Sequence, residues 1–291
     1  MVNNEKVLDY KIDVKTTSAG TYLKELFTSN DVLFTAPKSV GLLNLFLTLF
    51  EEKDYIVLDF FSGSATTAHA VMQLNSEDDG NRKYIMVQLP ETTDEKSEAF
   101  KAGYKNIAEI GKERIRRAGE KIKQEIEEYN SNLRLGEEPK KVPDIGFKVF
   151  KVDNTNIKWY DMDNLNENNQ YSFDDPDSLD FVVGSSDIDI VYEIMLRQND
   201  VPLSERLETL TDIGKRTYLY ASSYLICLET EITEEMVEKL ASLEPLPIKF
   251  VFRDSAFKDT ISLKDETFRR LRSLIERNSG ESKVSYRVEF I

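Results

Sequence analysis

Residues 55–75, Y-I-V-L-D-F-F-S-G-S-A-T-T-A-H-A-V-M-Q-L-N, decide the fold. Ile56, Val57 and Leu58 form a short apolar run that ends in Asp59. Phe60 and Phe61 follow, then the small-residue loop Ser62, Gly63, Ser64, Ala65, Thr66 and Thr67, then an Ala-rich helical run. Parallel strands are buried on both faces and read as continuous apolar runs, and ligands sit beyond their carboxyl ends. Small residues let a ligand approach the backbone, and a helix start presents unpaired N–H groups. Asp59 at the strand tip can accept from a cationic or amino group. The stretch fits a nucleotide-like site and, equally, an ordinary strand-to-helix turn.

Working outward, the spacing lays down further elements. Thr17 to Gly20 reads as a polar turn before a short helix over 21–27. Ser39, after Ala36, Pro37 and Lys38, caps a helix on which Leu42, Leu43, Phe46, Leu49 and Phe50 keep a helical period. A strand over 56–60, the loop and a helix over 67–74 come next. Asp78 to Asn81 is a turn, and a second buried strand over 83–89 ends at Pro90. This order opens a doubly wound sheet. A long helix carries Ile115, Ala118, Ile122, Ile126 and Tyr129 at spacings of three and four.

Residues 136–186 read as a loop-rich connection holding Pro139, Pro143, a short strand over 146–152 and an Asp/Asn-rich stretch over 161–180. Beyond it the pattern alternates again. Helices are expected over 188–196, 233–243 and 266–275, and strands over 218–228, 248–252 and 284–291. The division is 1–135, 136–186 and 187–291, the last a small second α/β unit.

Composition bounds the function. At 291 residues, with 40% hydrophobic and 31% charged, the chain can bury a large core. No apolar run approaches the roughly 20 residues that span a bilayer. The amino terminus lacks the order of a secretory signal. The expected setting is cytoplasmic, without a membrane. The single cysteine, Cys227, excludes an intrachain disulfide and reads as a buried thiol. One His and one Cys argue against a His/Cys metal site. No G-x-x-x-x-G-K-[ST] loop is present, which argues against a phosphate-cradling NTPase. A net charge of -15 argues against this chain gripping a nucleic-acid duplex alone. Lys112, Arg114, Arg116, Arg117, Lys121 and Lys123 interleave with Glu109, Glu113, Glu120 and Glu125 and predict a solvated helix face. Arg116 and Arg117 are its candidates for a phosphate contact.

The string D-F-F-S-G-S-A-T-T-A-H-A-V lies between P-K-S-V-G-L-L and N-R-K-Y-I-M-V-Q-L-P-E. Together they resemble the S-adenosylmethionine-binding half of an amino-group DNA methyltransferase. The resemblance is to the modification subunit of Type III restriction systems, an adenine-N6 methyltransferase. It continues through K-E-R-I-R-R-A-G and D-I-G-F-K-V-F. It implies a Rossmann-like half-domain, with S-adenosylmethionine as cofactor. Asp59 would face the methionine end and pair its ammonium, or else cap the turn. Phe60 or Phe61 would lie beside the cofactor, and Ser62, Gly63 and Ser64 would form its loop. Thr66 and Thr67 cap the helix, donate to the ligand carboxylate, or both. Lys38 lines the methionine side or is a surface lysine. Gln88 or Glu91 would hold the ribose hydroxyls, with Gln88 at the usual place. Ala65 stands where the family usually has Gly, which makes the loop stiffer or displaces it. His69 is read as a packing residue without a catalytic role.

The family holds the target amine with an Asp/Asn/Ser-Pro-Pro-Tyr/Phe/Trp tetrapeptide, and this chain contains no Pro-Pro pair. In the resembled subclass the tetrapeptide and the target-recognition region precede the cofactor motif. The expectation is therefore a carboxyl-terminal part of such an enzyme, with no catalytic residues of its own. DNA would be met mainly through upstream regions, and the further partners would be a restriction subunit and a second copy. The alternative is a non-catalytic assembly module, or a remnant that pairs with a restriction subunit.

Overall fold

The computed structural model describes residues 16–29, 31–158, 176–257, 261–279 and 285–291. Contacts divide the chain into two units, residues 1–147 and 148–291, and both mix α and β structure.

The first unit opens with α1 (Thr16–Leu26) and α2 (Val40–Leu47). α1 starts early enough to absorb residues 17–20, so the expected polar turn there is helical. Ser39 caps α2 as predicted, its Oγ accepting from the Leu42 N–H at 3.3 Å. α2 stops at Leu47, and Leu49 and Phe50, expected on its apolar stripe, lie past its end and are exposed. β1 (Ile56–Asp59), α3 (Thr66–Asp78) and β2 (Lys83–Met86) follow. β1 and β2 pair in parallel, with Leu58 beside Ile85 and Asp59 beside Met86. Both strands stop short of the ends expected at 60 and 89.

α3 is buried on nearly every side, which suits a helix with apolar residues all round. Ala68 and Met72 pack toward Ile115 and Ala118, while Ala70, Val71 and Leu74 meet Leu47, Val57 and Tyr84. Its far end is stapled to β2. Buried Arg82 donates to both carboxylate oxygens of Asp78 at 2.9 Å, and Asn75 Nδ2 donates to the Arg82 carbonyl at 2.8 Å.

α4 (Glu98–Lys101) and α5 (Ile107–Ser131) complete the unit. Asn106 caps α5, accepting from the Glu109 N–H at 3.0 Å. The helix thus begins well before Ile115, the first residue its spacing marked. No strand forms over 146–152. Phe147 packs instead with Val142 and Ile145 against the Ile115, Ala118 and Ile122 stripe of α5.

The second unit holds α6 (Asp187–Gln198), β3 (Leu207–Thr209), β4 (Thr217–Tyr220), β5 (Tyr224–Cys227), α7 (Glu234–Leu240), β6 (Lys249–Phe252), α8 (Ile261–Ser279) and β7 (Arg287–Phe290). The sheet order is β3-β4-β5-β6-β7; β3 to β5 are antiparallel, and β6 and β7 add in parallel. The run expected as one strand over 218–228 is a hairpin, because Ala221 and Ser222 both take left-handed backbone with φ of 52°. α7 and α8 cover the face carrying Leu225, Cys227, Phe250 and Phe252. α6 covers the opposite face, against Tyr218, Tyr224, Ile226 and Val251. Fully buried Arg253 pairs with Asp177 and Asp180, and Arg216 pairs with Asp177 and Asp187. Residues 161–175 of the Asp/Asn-rich stretch and residue 284 of the expected last strand lie outside the described residues.

Among the described residues no helix is long and apolar enough to cross a membrane. None of their His, Cys, Asp and Glu side chains form a group suited to a metal ion.

Candidate functional site

The loop between β1 and α3 is held from three directions. From below, Asp59 spans it: Oδ1 accepts from the Phe61 N–H at 3.1 Å and Oδ2 from the Thr67 hydroxyl at 2.6 Å. The capping role open to Asp59 is therefore present in the geometry. Each carboxylate oxygen keeps further acceptor capacity, and the residue is only half-buried.

From the side, the extension of β2 grips the loop. The Ser62 N–H donates to the Val87 carbonyl at 3.2 Å, and the Gly63 N–H donates to Gln88 Oε1 at 2.7 Å. Gln88 Nε2 donates to the Leu89 carbonyl at 3.1 Å, which fixes the amide's orientation. Gly63 has φ +52°, and a Cβ there would sit 3.3 Å from the Phe34 ring. Glycine is favoured on both counts.

From behind, α5 supports the loop. Arg114 is fully buried, and its Nη1 donates to Ser64 Oγ at 3.0 Å and to Thr66 Oγ1 at 2.6 Å. Its Nε has no hydrogen-bond partner, and burial pulls the guanidinium down to about 10. One turn earlier, Gly111 lets the helix come close. A Cβ at Gly111 would lie 3.2 Å from the Gly63 carbonyl oxygen and 3.4 Å from Ala65 Cβ.

Ala65, between the two pinned hydroxyls, is left-handed at φ 57° and ψ 41°. An L-residue with a Cβ accepts that conformation at a cost of about 1–2 kcal/mol. The bonds on either side hold it there, and its methyl is buried against α5.

Asp59, Ser62, Gly63, Ser64, Thr66, Thr67 and Gln88 thus join in one hydrogen-bonded unit. Phe60, Phe61, Lys38 and Glu91 are exposed, and their side chains enter none of these bonds. The segment before α2 comes alongside through Phe34. A groove of about 280 Å³ runs there, lined by Leu23, Asp31, Phe34, Ala36 and Pro37 among others.

The basic cluster of α5 needs one correction. Lys112 pairs with Glu109, Arg116 and Arg117 pair with Glu113, and Lys121 lies near Glu125, as a solvated ladder should. Arg114 is not on that face. It shares the stripe of Ile110, Ala118 and Ile122, spaced by fours, and that spacing is the signal that could have marked it as inward. Gly111 lies on the same stripe.

His69 is buried, with Nε2 3.3 Å from the Tyr22 hydroxyl and Nδ1 unpartnered. Burial, with Arg114 and Lys121 adding, lowers its pKa to about 3. It is a neutral packing side chain of α3, set against Tyr22 of α1.

A small-residue loop here lies between a strand-tip carboxylate and a helix start, at the carboxyl ends of two parallel strands. Residues 10–98 match the family model described as DNA methylase, and that match contains β1, the loop and β2. More particularly, the chain is 37% identical over 160 residues to the Mod subunit of the Type III restriction-modification enzyme StyLTI from Salmonella typhimurium. That alignment covers 55% of this chain and 20% of that protein. It is 42% identical over 110 residues to the EcoPI Mod subunit of Escherichia phage P1, covering 38% of this chain and 17% of the other. It is 34% identical over 95 residues to the Type II methyltransferase M.KpnI of Klebsiella pneumoniae, covering 33% and 22%. The resemblance to Type III modification subunits therefore holds, over about a fifth of their length.

Proposed function

We propose that this chain supplies the S-adenosylmethionine-binding loop of a DNA adenine-N6 methyltransferase in a Type III restriction-modification system. The observation that carries this reading is the loop over 62–66, pinned by Asp59, Gln88 and Arg114, at the carboxyl ends of two parallel strands. Ligands of open parallel sheets bind at that place. The residues present fit the cofactor: Gly63 leaves the backbone bare, Asp59 offers a carboxylate for an ammonium, and Gln88 offers an amide for ribose hydroxyls. Glu91 is the second candidate for the ribose.

When bound, the cofactor supplies an electrophilic methyl group. This chain's residues hold and orient. Asp59 pairs the ammonium while still bracing the loop. Phe60 or Phe61, both exposed, would lie beside the cofactor, and Lys38 would line its methionine side. Thr66 and Thr67 serve the loop itself, since their hydroxyls are committed to Arg114 and Asp59. In this reading 1–135 is a Rossmann-like half-domain, 136–186 a connection, and 187–291 an α/β unit for subunit contacts. DNA, a restriction subunit and a second copy are the partners, in the cytoplasm. The tetrapeptide that would hold the target amine is absent from the sequence, so the chain alone does not methylate. The net charge of -15, which argues against this chain gripping a duplex alone, suits equally a second reading, a non-catalytic assembly module or a remnant that pairs with a restriction subunit.

Titration calorimetry with S-adenosylmethionine and S-adenosylhomocysteine separates the two. Saturable binding that disappears in Asp59→Ala supports the cofactor reading. Absence of binding to either ligand leaves the assembly role.

A further inference from the structure

The backbone ladder between β1 and β2 runs past both strands and ends on a side chain. The Val87 N–H donates to the Asp59 carbonyl at 2.8 Å, and the Ser62 N–H donates back to the Val87 carbonyl at 3.2 Å. The next N–H of the loop, that of Gly63, goes to Gln88 Oε1 at 2.7 Å. A side-chain carbonyl thus adds one more rung where the chain turns, the Ala65 N–H donating to the Ser62 carbonyl at 2.7 Å. The same amide has a second arm. Its Nε2 donates to the Leu89 carbonyl at 3.1 Å, and that carbonyl also accepts from the Glu91 N–H at 2.8 Å. The Glu91 carbonyl in turn accepts at 3.0 Å from the N–H of Ile107, the first residue of α5. One amide therefore ties the loop over 62–65 to the segment 89–91, which carries the second candidate for the ribose.

An amide serves both arms because it carries an acceptor and a donor side by side. An ionised carboxylate at position 88 accepts from Gly63 but cannot donate, and sets its other oxygen against the Leu89 carbonyl. An alkyl side chain makes neither bond. Each amide atom here uses one of its two bonding positions, so Oε1 keeps a lone pair and Nε2 a hydrogen. Gln88 is only half-buried, and those remaining positions suit two hydroxyls, one donating and one accepting.

We propose that Gln88 is a positioning residue that couples the two halves of the cofactor site. It holds Gly63, and with it the loop of the methionine half, from the place where the ribose half is bound. A nucleoside seated at the end of β2 then steadies the loop that meets the amino acid. This role rests on the S-adenosylmethionine reading, and it gives Gln88 a task that a ribose contact alone does not include.

Calorimetry on the full chain with S-adenosylhomocysteine and with methylthioadenosine measures the coupling. The second ligand keeps adenine, ribose and sulfur and lacks the amino acid, so the ratio of the two affinities reports what the methionine half contributes. In Gln88→Met and in Gln88→Glu that ratio falls about tenfold, the size of one lost hydrogen bond. Gln88→Glu keeps acceptors for the hydroxyls, so its affinity for methylthioadenosine stays close to that of the unaltered chain. Amide hydrogen exchange at 62–65 quickens in both ligand-free variants, while exchange in α3 and the melting midpoint hold. Equal losses for the two ligands mean a plain ribose contact and overturn the proposal. A ratio that holds in either variant overturns it too, as does unchanged exchange at 62–65. An unaltered chain that binds neither ligand removes the cofactor reading and the coupling with it, an outcome distinct from binding whose ratio ignores residue 88.

Discussion

Arg114 Nη1 donates to Thr66 Oγ1 at 2.6 Å, a bond that joins the second turn of α5 to the first residue of α3 across 48 positions. The same nitrogen reaches Ser64. Replacing Arg114 by Met leaves two hydroxyls without their donor, and an unpaired buried polar group costs about 1–3 kcal/mol. Losing the desolvated charge offsets part of that cost. The loop is freed in either case, so S-adenosylmethionine affinity falls at least tenfold while the melting temperature moves little. Arg114→Lys recovers part of the affinity. Calorimetry alongside thermal melting checks both.

Gly63→Ala places a Cβ at 3.3 Å from Phe34 in a left-handed backbone. It destabilises by about 1–2 kcal/mol and removes cofactor binding. Denaturant titration and calorimetry measure the two effects.

Ala65→Gly tests the opposite balance. It relieves left-handed strain of about 1–2 kcal/mol and gives up one buried methyl and backbone stiffness, each of roughly 1 kcal/mol. The expected net change is within about 1 kcal/mol of zero, read by denaturant unfolding. A loss of several kcal/mol contradicts the account of the loop.

His69 makes stability depend on pH. Burial lowers its pKa from 6.5 to about 3. Between those values the unfolded chain binds a proton here that the folded chain does not, so stability falls as pH drops through the window. The slope contributed is at most about 1.4 kcal/mol per pH unit. Unfolding measured from pH 7 to pH 4 shows it, and His69→Gln reduces the slope.

Cys227 is fully buried, and burial pushes its thiol up to about 11. At pH 8 a thiol reagent leaves it unmodified in the folded chain and modifies it on addition of denaturant.

Much of the site was legible because its signals are local. The apolar run into Asp59, the small-residue loop and the Ser39 cap are all found where the sequence put them. What stayed hidden depends on distant partners. Residues 146–152 alternate like a strand, yet Phe147 finds the flank of α5 in place of a neighbouring strand. The hairpin turn at Ala221 and Ser222 carries no Gly or Asn to announce its left-handed backbone. Arg114 sat among charges that pair on the surface, and only its spacing to Ile110 and Ala118 set it apart.

The support that α5 gives the loop bears on where this protein can be cut. The DNA methylase match ends at residue 98, and α5 begins at Ile107. A segment trimmed to the family boundary keeps the loop over 62–67 with Asp59 and Gln88 and loses Gly111 and Arg114, the two positions that back them. The shortest piece able to present an ordered loop extends past residue 114, into sequence that the family match does not reach.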